Sequence, residues 1–507
     1  MLLRIGRTFV ILIGLLSGNV LADELSSAGS NKSDAAPSQL PNIVVILADD
    51  LGWNSVGYHN KEFQTPHIDS LVASGITLNR FYVAPMCSPT RAGMMTGRYP
   101  IRFGCARAVI PPYRDFGLPT SEVTLPEMLS ILGYENRGVF GKWHLGHRRA
   151  KWHPLSQGFT YFHGHYNGAI DYFDLSRDGV RDWHVGYDSS DEMGYATDLI
   201  ADAATKWIRQ SATSDAPYFC YVPFNAPHSP YQAPDDAVEL YGSLSEVNGR
   251  DEKHREIYKA MIGRMDEGIG RILQAVDATG ESDNTIVWFF SDNGGVGNLR
   301  GINKPLKGSK LTVFEGGIRV PACVRWPEKI KAGQSTDVVC GYIDLLPTLV
   351  AIAGGQCTDL TEKPIDGIDL TSVLAAPEST VADRPWFSYH GQSGASSEHL
   401  AIIDKGWKLV VNGPHLTSVK QLRSGSNQVH LFHLEQDLNE TTNLKEQRPK
   451  KVNQLARQLI EHRALQPKDA VPPYGIGQAG FIPPPLWKLD PNEPEAIVGG
   501  YEAAEPK

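Results

Sequence analysis

Asn42-Ile43-Val44-Val45-Ile46-Leu47-Ala48 runs straight into Asp49-Asp50. This β-branched apolar run is too short for a helix. Its lack of apolar and polar alternation marks a strand covered on both faces, as in a mostly parallel sheet. Similar short runs recur at Asn136 to Phe140, Tyr218 to Phe224 and Thr285 to Phe290, with helical spacing between them. That alternation describes an α/β fold. Tyr258, Met261, Ile262, Met265, Ile269, Ile272, Leu273 and Val276 repeat at spacings of three and four, and Gly280 offers a stop, which predicts a helix over residues 253–278.

Ligands in open α/β sheets bind beyond the carboxyl ends of the strands, so the residues just after each predicted strand matter most. The first strand delivers Asp49-Asp50, the second Gly141-Lys142-Trp143-His144, the third Asn225-Ala226-Pro227-His228 and the fourth Ser291-Asp292-Asn293-Gly294-Gly295. Asp49, Asp50, Asp292 and Asn293 are hard oxygen donors that suit Ca²⁺ or Mg²⁺ better than zinc, and the number of carboxylates favours calcium. Asp49-Asp50 alone reads equally well as a solvated turn; convergence with Asp292-Asn293 sets it apart. Cys87-Ser88-Pro89-Thr90-Arg91 precedes a helix predicted to start near Pro89, and a helix N-terminus there favours an anion.

The 507 residues, 41% hydrophobic and 21% charged, suit a soluble enzyme with one large core and one smaller one. A net charge of −9 argues against nucleic acid as a partner, so an anionic substrate requires a local cluster of cations or a metal. Six cysteines are widely spaced with no C-x-x-C pattern, and Cys220 and Cys323, each in an apolar run, read as buried thiols. Arg4 and Arg7 before the apolar run Phe9 to Leu16, then Val20-Leu21-Ala22, read as a signal peptide over residues 1–22. Export to the periplasm or medium is therefore expected, with no membrane span after cleavage. Residues 23–40 fit a flexible spacer, 41–375 a catalytic domain, 376–465 a smaller C-terminal α+β domain with strands near Ala401 to Ile403 and Trp407 to Val411 and a helix over 450–465, and 466–507 a Pro/Gly-rich tail.

The pattern Cys87-x-Pro89-x-Arg91 followed by Thr96-Gly97-Arg98 resembles the signature of the formylglycine-dependent (type I) sulfatases. Leu47-Ala48-Asp49-Asp50, Gly141 to Gly146, Pro227-His228, Asp292 to Gly295, and Lys307-Gly308 before Glu315 to Pro321 match that family in order. Leu431 to Asp437 and Glu440 to Leu444 resemble its C-terminal domain more weakly. The resemblance implies an alkaline-phosphatase-like fold, a mixed, mostly parallel sheet sandwiched by helices. It also implies that Cys87 is oxidised to formylglycine (3-oxoalanine) by a separate formylglycine-generating or anaerobic maturation enzyme. By the same resemblance Asp49, Asp50, position 87, Asp292 and Asn293 surround a calcium ion. One hydroxyl of the formylglycine hydrate then attacks sulfur with Asp292 as base, Arg91 anchors that residue and Lys142 bridges it to sulfate. His228, supported by Lys307, protonates the departing sugar oxygen, and His144 takes the proton of the second hydroxyl as sulfate leaves.

The expected substrate is a sulfated oligo- or polysaccharide. Residues 158–178, with Tyr161, His163, His165, Tyr166, Asp171 and Tyr172, combine aromatic and polar groups suited to sugars. The region is similar to the arylsulfatase B-like branch, which acts on N-acetylgalactosamine 4-sulfate, and to bacterial relatives acting on sulfated galactans such as carrageenan. His165, Asp171 and Arg300 are the candidate sugar contacts; His147, His153, His163 and His184 read as ordinary polar loop residues. Two other readings are a phosphonate or phosphodiester hydrolase of the same superfamily and an unmatured protein that only binds sulfated glycans.

Overall fold

The strand Asn42–Ala48 lies inside a ten-stranded sheet of order Gln334–Thr336, Ile76–Leu78, Ala322–Arg325, Thr285–Ser291, Asn42–Ala48, Tyr218–Pro223, Asn136–Lys142, Tyr161–His165, His184–Val185, Asp188–Ser189. The computed structural model describes residues 39–240, 244 and 249–501. The expected signal peptide and nearly all of the expected spacer lie outside the described residues. From Thr285–Ser291 across to Tyr161–His165 the strands pair parallel, and antiparallel neighbours flank them on both sides. Ala48 pairs with Ser291 and Leu47 with Pro223, so the segments that follow these strands emerge together at one edge.

Alternate side chains of the first strand enter different cores. Ile43, Val45 and Leu47 pack with Phe219, Tyr221, Trp288 and Phe290 on one face, and Val44, Ile46 and Ala48 with Ile200, Met265 and Ile269 on the other. Helices Ala196–Ser211 and Arg250–Ala278 cover the second face. Ile262, Met265, Ile269 and Ile272 of the latter are fully buried, so truncating any one to alanine should cost about 2–5 kcal/mol. The first face is covered by helices Cys87–Thr96, Leu125–Ile131 and Leu345–Ile352.

The smaller C-terminal domain is a four-stranded antiparallel sheet, Trp386–His390, Glu398–Asp404, Trp407–Gly413 and Gln428–His433, backed by helix Pro449–Arg463. Leu400, Ile402, Leu409, Leu431, Leu455 and Leu459 join the first core. A buried ion cluster ties this sheet to the large one: Lys408 Nζ lies 2.8 Å from Glu315 Oε1 and 2.9 Å from Glu440 Oε1. The tail is mostly irregular yet anchored, with Trp487 and Leu489 buried and Arg148 donating to the carbonyls of Val498 and Gly499, both at 2.8 Å. Among the described residues no helix is long and apolar enough to cross a membrane. All six cysteines are free, with Cys220 and Cys323 buried as expected.

Candidate active site

Cys87 is the first residue of helix Cys87–Thr96, two residues earlier than the Pro89 start read from the sequence. All of this helix is buried. Cys87 Sγ lies 3.3 Å from His144 Nδ1, and Ser88 Oγ donates to the His144 carbonyl at 3.0 Å. His144 holds a left-handed φ of 57° and Asp50 one of 66°, conformations that cost a non-glycine residue about 1–2 kcal/mol and concentrate at functional sites. Behind His144 stands Gly168, where a Cβ would lie 2.4 Å from the imidazole; a side chain there would displace the ring. Burial pushes the Cys87 thiol up and, reinforced by the Lys142 and Arg91 charges, holds His144 neutral, well below the usual histidine range.

Four strand ends converge here as the sequence predicts. Arg91 donates from Nε at 3.1 Å and Nη2 at 2.9 Å to Asp292 Oδ2, and from Nη1 at 2.7 Å to the Lys142 carbonyl. Lys142 Nζ donates to Asp49 Oδ2, and Asn293 Nδ2 donates to Asp50 Oδ1 at 2.7 Å. Burial, with the Asp49 charge added, raises the Asp292 carboxyl above the usual carboxylate range despite Arg91. Burial would also raise Asp50, but the Lys310 ammonium and His228 outweigh it and hold that carboxyl low.

The residues fit a hard divalent cation. Ligand atoms of Asp49, Cys87 and Asp292 lie within 4.8 Å of one another, as do those of Asp49, Asp50 and His228. Asp49 Oδ1 and Asn293 Oδ1 are buried acceptors without a hydrogen-bond partner among the described residues, an arrangement that leaves bare oxygens for a metal. Three carboxylates face Arg91, Lys142 and Lys310, so the local charge is balanced and a divalent ion would make the site cationic enough for an anionic substrate.

His228 Nδ1 sits 2.6 Å from the Ser229 carbonyl, which assigns the proton to Nδ1 and leaves Nε2 facing Asp50 Oδ2 at 3.6 Å. Burial and the Lys310 charge lower its pKa to about 3. Tyr172 fixes this turn, donating to the carbonyls of Asn225 at 2.6 Å and His228 at 2.8 Å. Its ring is buried, so it positions His228 instead of presenting a sugar platform.

Four sequence candidates lie elsewhere. Lys307 points to the C-terminal domain, donating to the Glu440 carbonyl at 3.1 Å with its ammonium over the rings of Phe314 and Phe432. Lys310 takes the place at the site, because its backbone docks on the Gly295 carbonyl at 3.0 Å and turns the side chain onto Asp50. Asp171 is consumed in loop structure: Oδ1 accepts from the backbone of Phe173 and Asp174, and Oδ2 from Gln232 at 2.6 Å. Arg300 is exposed and does not line the cleft. His165 is fully buried against Trp183 with its Nδ1 on the Asn167 carbonyl. His147 and His153 lie in irregular segments as read from the sequence, His163 and His184 lie in strands, and all four are buried and do not line the cleft. The cleft, about 200 Å³, is lined instead by Cys87, His144, His228 and Lys310 with Arg177, Gln392 and Tyr474, three residues that sequence reasoning missed.

A mixed sheet delivering this constellation to one edge is the architecture of the alkaline-phosphatase-like sulfatases. The Sulfatase family model matches residues 41–355, and a model described as N-sulphoglucosamine sulphohydrolase, C-terminal, matches residues 309–466. The chain belongs to the sulfatase family, a family of enzymes. Mouse arylsulfatase J is 36% identical over 70% of the chain, which spans 58% of that protein's length, and mouse N-acetylgalactosamine-6-sulfatase is 33% identical over 80% of the chain and 82% of its own. Among solved structures, Ps i-CgsB in complex with k-i-k-neocarrahexaose superposes with a TM-score of 0.76 at 27% identity, over 85% of this chain and 95% of that one.

Proposed function

We propose that this protein is an exported sulfuric ester hydrolase that removes sulfate from a sulfated galactan such as carrageenan or from an N-acetylgalactosamine sulfate, using formylglycine at position 87 and a calcium ion. The observation that carries this reading is the convergence of Cys87 Sγ, 3.3 Å from His144 Nδ1, with Asp49 and Asp292 in one buried oxygen-rich cluster. The names of relatives support the substrate class: one is an N-acetylgalactosamine-6-sulfatase and one solved neighbour holds k-i-k-neocarrahexaose. Arg4, Arg7 and the apolar run after them support export.

Calcium held by Asp49, Asp50, Asp292 and Asn293 would supply positive charge for an anionic oxygen, and formylglycine, made by a separate maturation enzyme, a nucleophile with two hydroxyls. Arg91, locked on Asp292, holds that carboxylate and the helix bearing position 87 in register. Lys142 and Lys310 would neutralise sulfate oxygens by charge-assisted hydrogen bonds. Asp292 is the candidate base toward the group at position 87. His228 presents Nε2 toward the leaving oxygen; an arriving anion favours its protonated form, which is the acid the leaving sugar needs. His144, neutral and in contact with position 87, suits withdrawal of a proton from that residue in the second half of the reaction.

Sulfate release from carrageenan and chondroitin oligosaccharides, run beside a phosphonate monoester and a phosphodiester, tests the assignment. Faster sulfate release supports it; faster turnover of the phosphorus esters would move the protein to the alternative hydrolase reading.

A further inference from the structure

We propose that Arg177, with Gln392 and Tyr474, forms a second anion-recognising subsite beside the reaction centre, so that the favoured substrate carries another negative group next to the sulfate that is removed. This inference rests on the sulfated-glycan reading above.

Arg177 is presented by a fixed platform. It ends the first strand of a small hairpin, Ser176–Arg177 paired with Val180–Arg181, closed by Asp178 and Gly179 at φ 53° and 78°, the left-handed pair that two-residue turns demand. The hairpin is tied down at its base, where the Asp171 amide donates to the Ser176 carbonyl at 2.8 Å and the Asp182 amide to the Leu175 carbonyl at 3.0 Å. Asp182 in turn accepts from the amides of Tyr166 at 3.0 Å and Asn167 at 2.9 Å.

Its charge is also unspent. Arg91, Lys142 and Lys310 are each committed to a buried carboxylate. Arg177 has only Asp178 as a charged partner among the described residues, 3.3 Å from Nε, and that carboxylate is 47% exposed. Such a surface pair is worth about 0–1 kcal/mol, so a substrate anion can displace it. The remaining contact, Nη1 to the Ala169 carbonyl, is a long 3.5 Å.

Opposite chemistry comes from the C-terminal part of the chain. Gln392 Oε1 is a buried acceptor without a hydrogen-bond partner among the described residues, suited to a sugar hydroxyl or amide. Tyr474 belongs to the tail, and its segment is fixed by Tyr113 Oη donating to the Tyr474 carbonyl, Arg114 donating to the Pro473 carbonyl at 2.9 Å and the Tyr474 amide donating to the Gln392 carbonyl at 2.9 Å. The cleft these residues share is about 200 Å³. That is smaller than the roughly 300–1,000 Å³ of sites for drug-sized ligands, so it takes one ring with its substituents. The second anion therefore lies on the same ring or at the linkage to the next one.

Calorimetric binding to a Cys87→Ala chain, which needs no maturation, tests this. The probes are N-acetylgalactosamine 4-sulfate and 6-sulfate, the 4,6-disulfate, and a uronate-linked disaccharide of each monosulfate. We expect a doubly charged probe to bind about tenfold more tightly than its singly charged counterpart, a preference that falls to about one in Arg177→Ala and survives in part in Arg177→Lys. Preference for the disulfate would identify the second group as sulfate; preference for the disaccharides would identify it as carboxylate. Equal or undetectable binding of all probes, or a preference that Arg177→Ala leaves intact, would overturn the subsite. Turnover of an aryl sulfate by the matured native chain reports separately on the sulfatase reading: its failure alongside Arg177-dependent discrimination would remove the catalysis and keep the subsite.

Discussion

Lys310 Nζ straddles the Asp50 carboxylate, 2.7 Å from Oδ1 and 2.9 Å from Oδ2, whereas Lys307 three residues earlier serves the C-terminal domain. The two lysines should therefore separate cleanly. Lys310→Ala should lower kcat/KM for a sulfate ester by about 10²–10³-fold, the scale of losing one preorganised charge at a transition state. Lys307→Ala should instead lower stability by about 1–2 kcal/mol through the lost carbonyl bond and ring contacts. Steady-state rates and thermal melts of both variants check this; an activity loss confined to Lys307→Ala would reverse the assignment.

Calcium should bind the described oxygen cluster and stabilise the fold. At a concentration a hundredfold above the dissociation constant the gain is about 2.7 kcal/mol, seen as a higher Tm that a chelator abolishes. Asp49→Asn and Asn293→Ala each remove or weaken an oxygen donor and should shrink that gain. An unchanged melt with and without the ion would speak against the metal site.

Acid should destabilise the fold through histidines that are buried in their neutral form. Burial lowers His153 and His462 to about 3, from a usual value of 6.5. Because the folded pKa lies below the unfolded one, the neutral form stabilises the protein above pH 6.5, and that contribution is lost as pH falls from 6.5 towards 3. The slope is about 1.4 kcal/mol per pH unit for each such histidine. His462 stacks on Phe387 at 4.0 Å, so His462→Phe keeps the packing and should flatten the decline between pH 6.5 and 5 in denaturant titrations.

Lys408 is fully buried between Glu315 and Glu440, and Glu315 opens the segment just after the Lys310 loop. Lys408→Ala leaves two facing carboxylates in a dry interior and should cost about 3–5 kcal/mol. The loss should appear in chemical denaturation at neutral pH and partly recover at lower pH, where Glu440, already raised by burial, protonates. A loss of less than about 1 kcal/mol would mean that water reaches the cluster.

Much of the candidate site was legible because it is local. Asn42–Ala48 has the bounds its apolar run predicts, and Asp49-Asp50, Lys142, His144, His228 and Asp292-Asn293 all lie at or within a few residues of a strand end. What composition could not report was direction and depth. Lys307 and Lys310 stand in one short loop, and only the docking of that loop on Gly295 decides which reaches Asp50. His165, Tyr166 and Tyr172 have the composition of a sugar platform, yet they are buried: Tyr172 donates to the carbonyls of Asn225 and His228, His165 Nδ1 lies on the Asn167 carbonyl, and Tyr166 stacks on His184 at 4.0 Å. Arg177, Gln392 and Tyr474 come from three distant segments and meet only through tertiary packing, so no spacing rule could have joined them.

Position 87 should carry formylglycine, and that residue should perform the hydrolysis. Peptide mass spectrometry across residue 87, on protein from its native host, paired with sulfate release by the same preparation, tests it most directly. The expected spectrum shows the mass of an aldehyde in place of the thiol, with activity proportional to the converted fraction. An unmodified Cys87 in a preparation that nevertheless releases sulfate would contradict the mechanism, and an unmodified Cys87 with no release would leave a protein that only binds sulfated glycans.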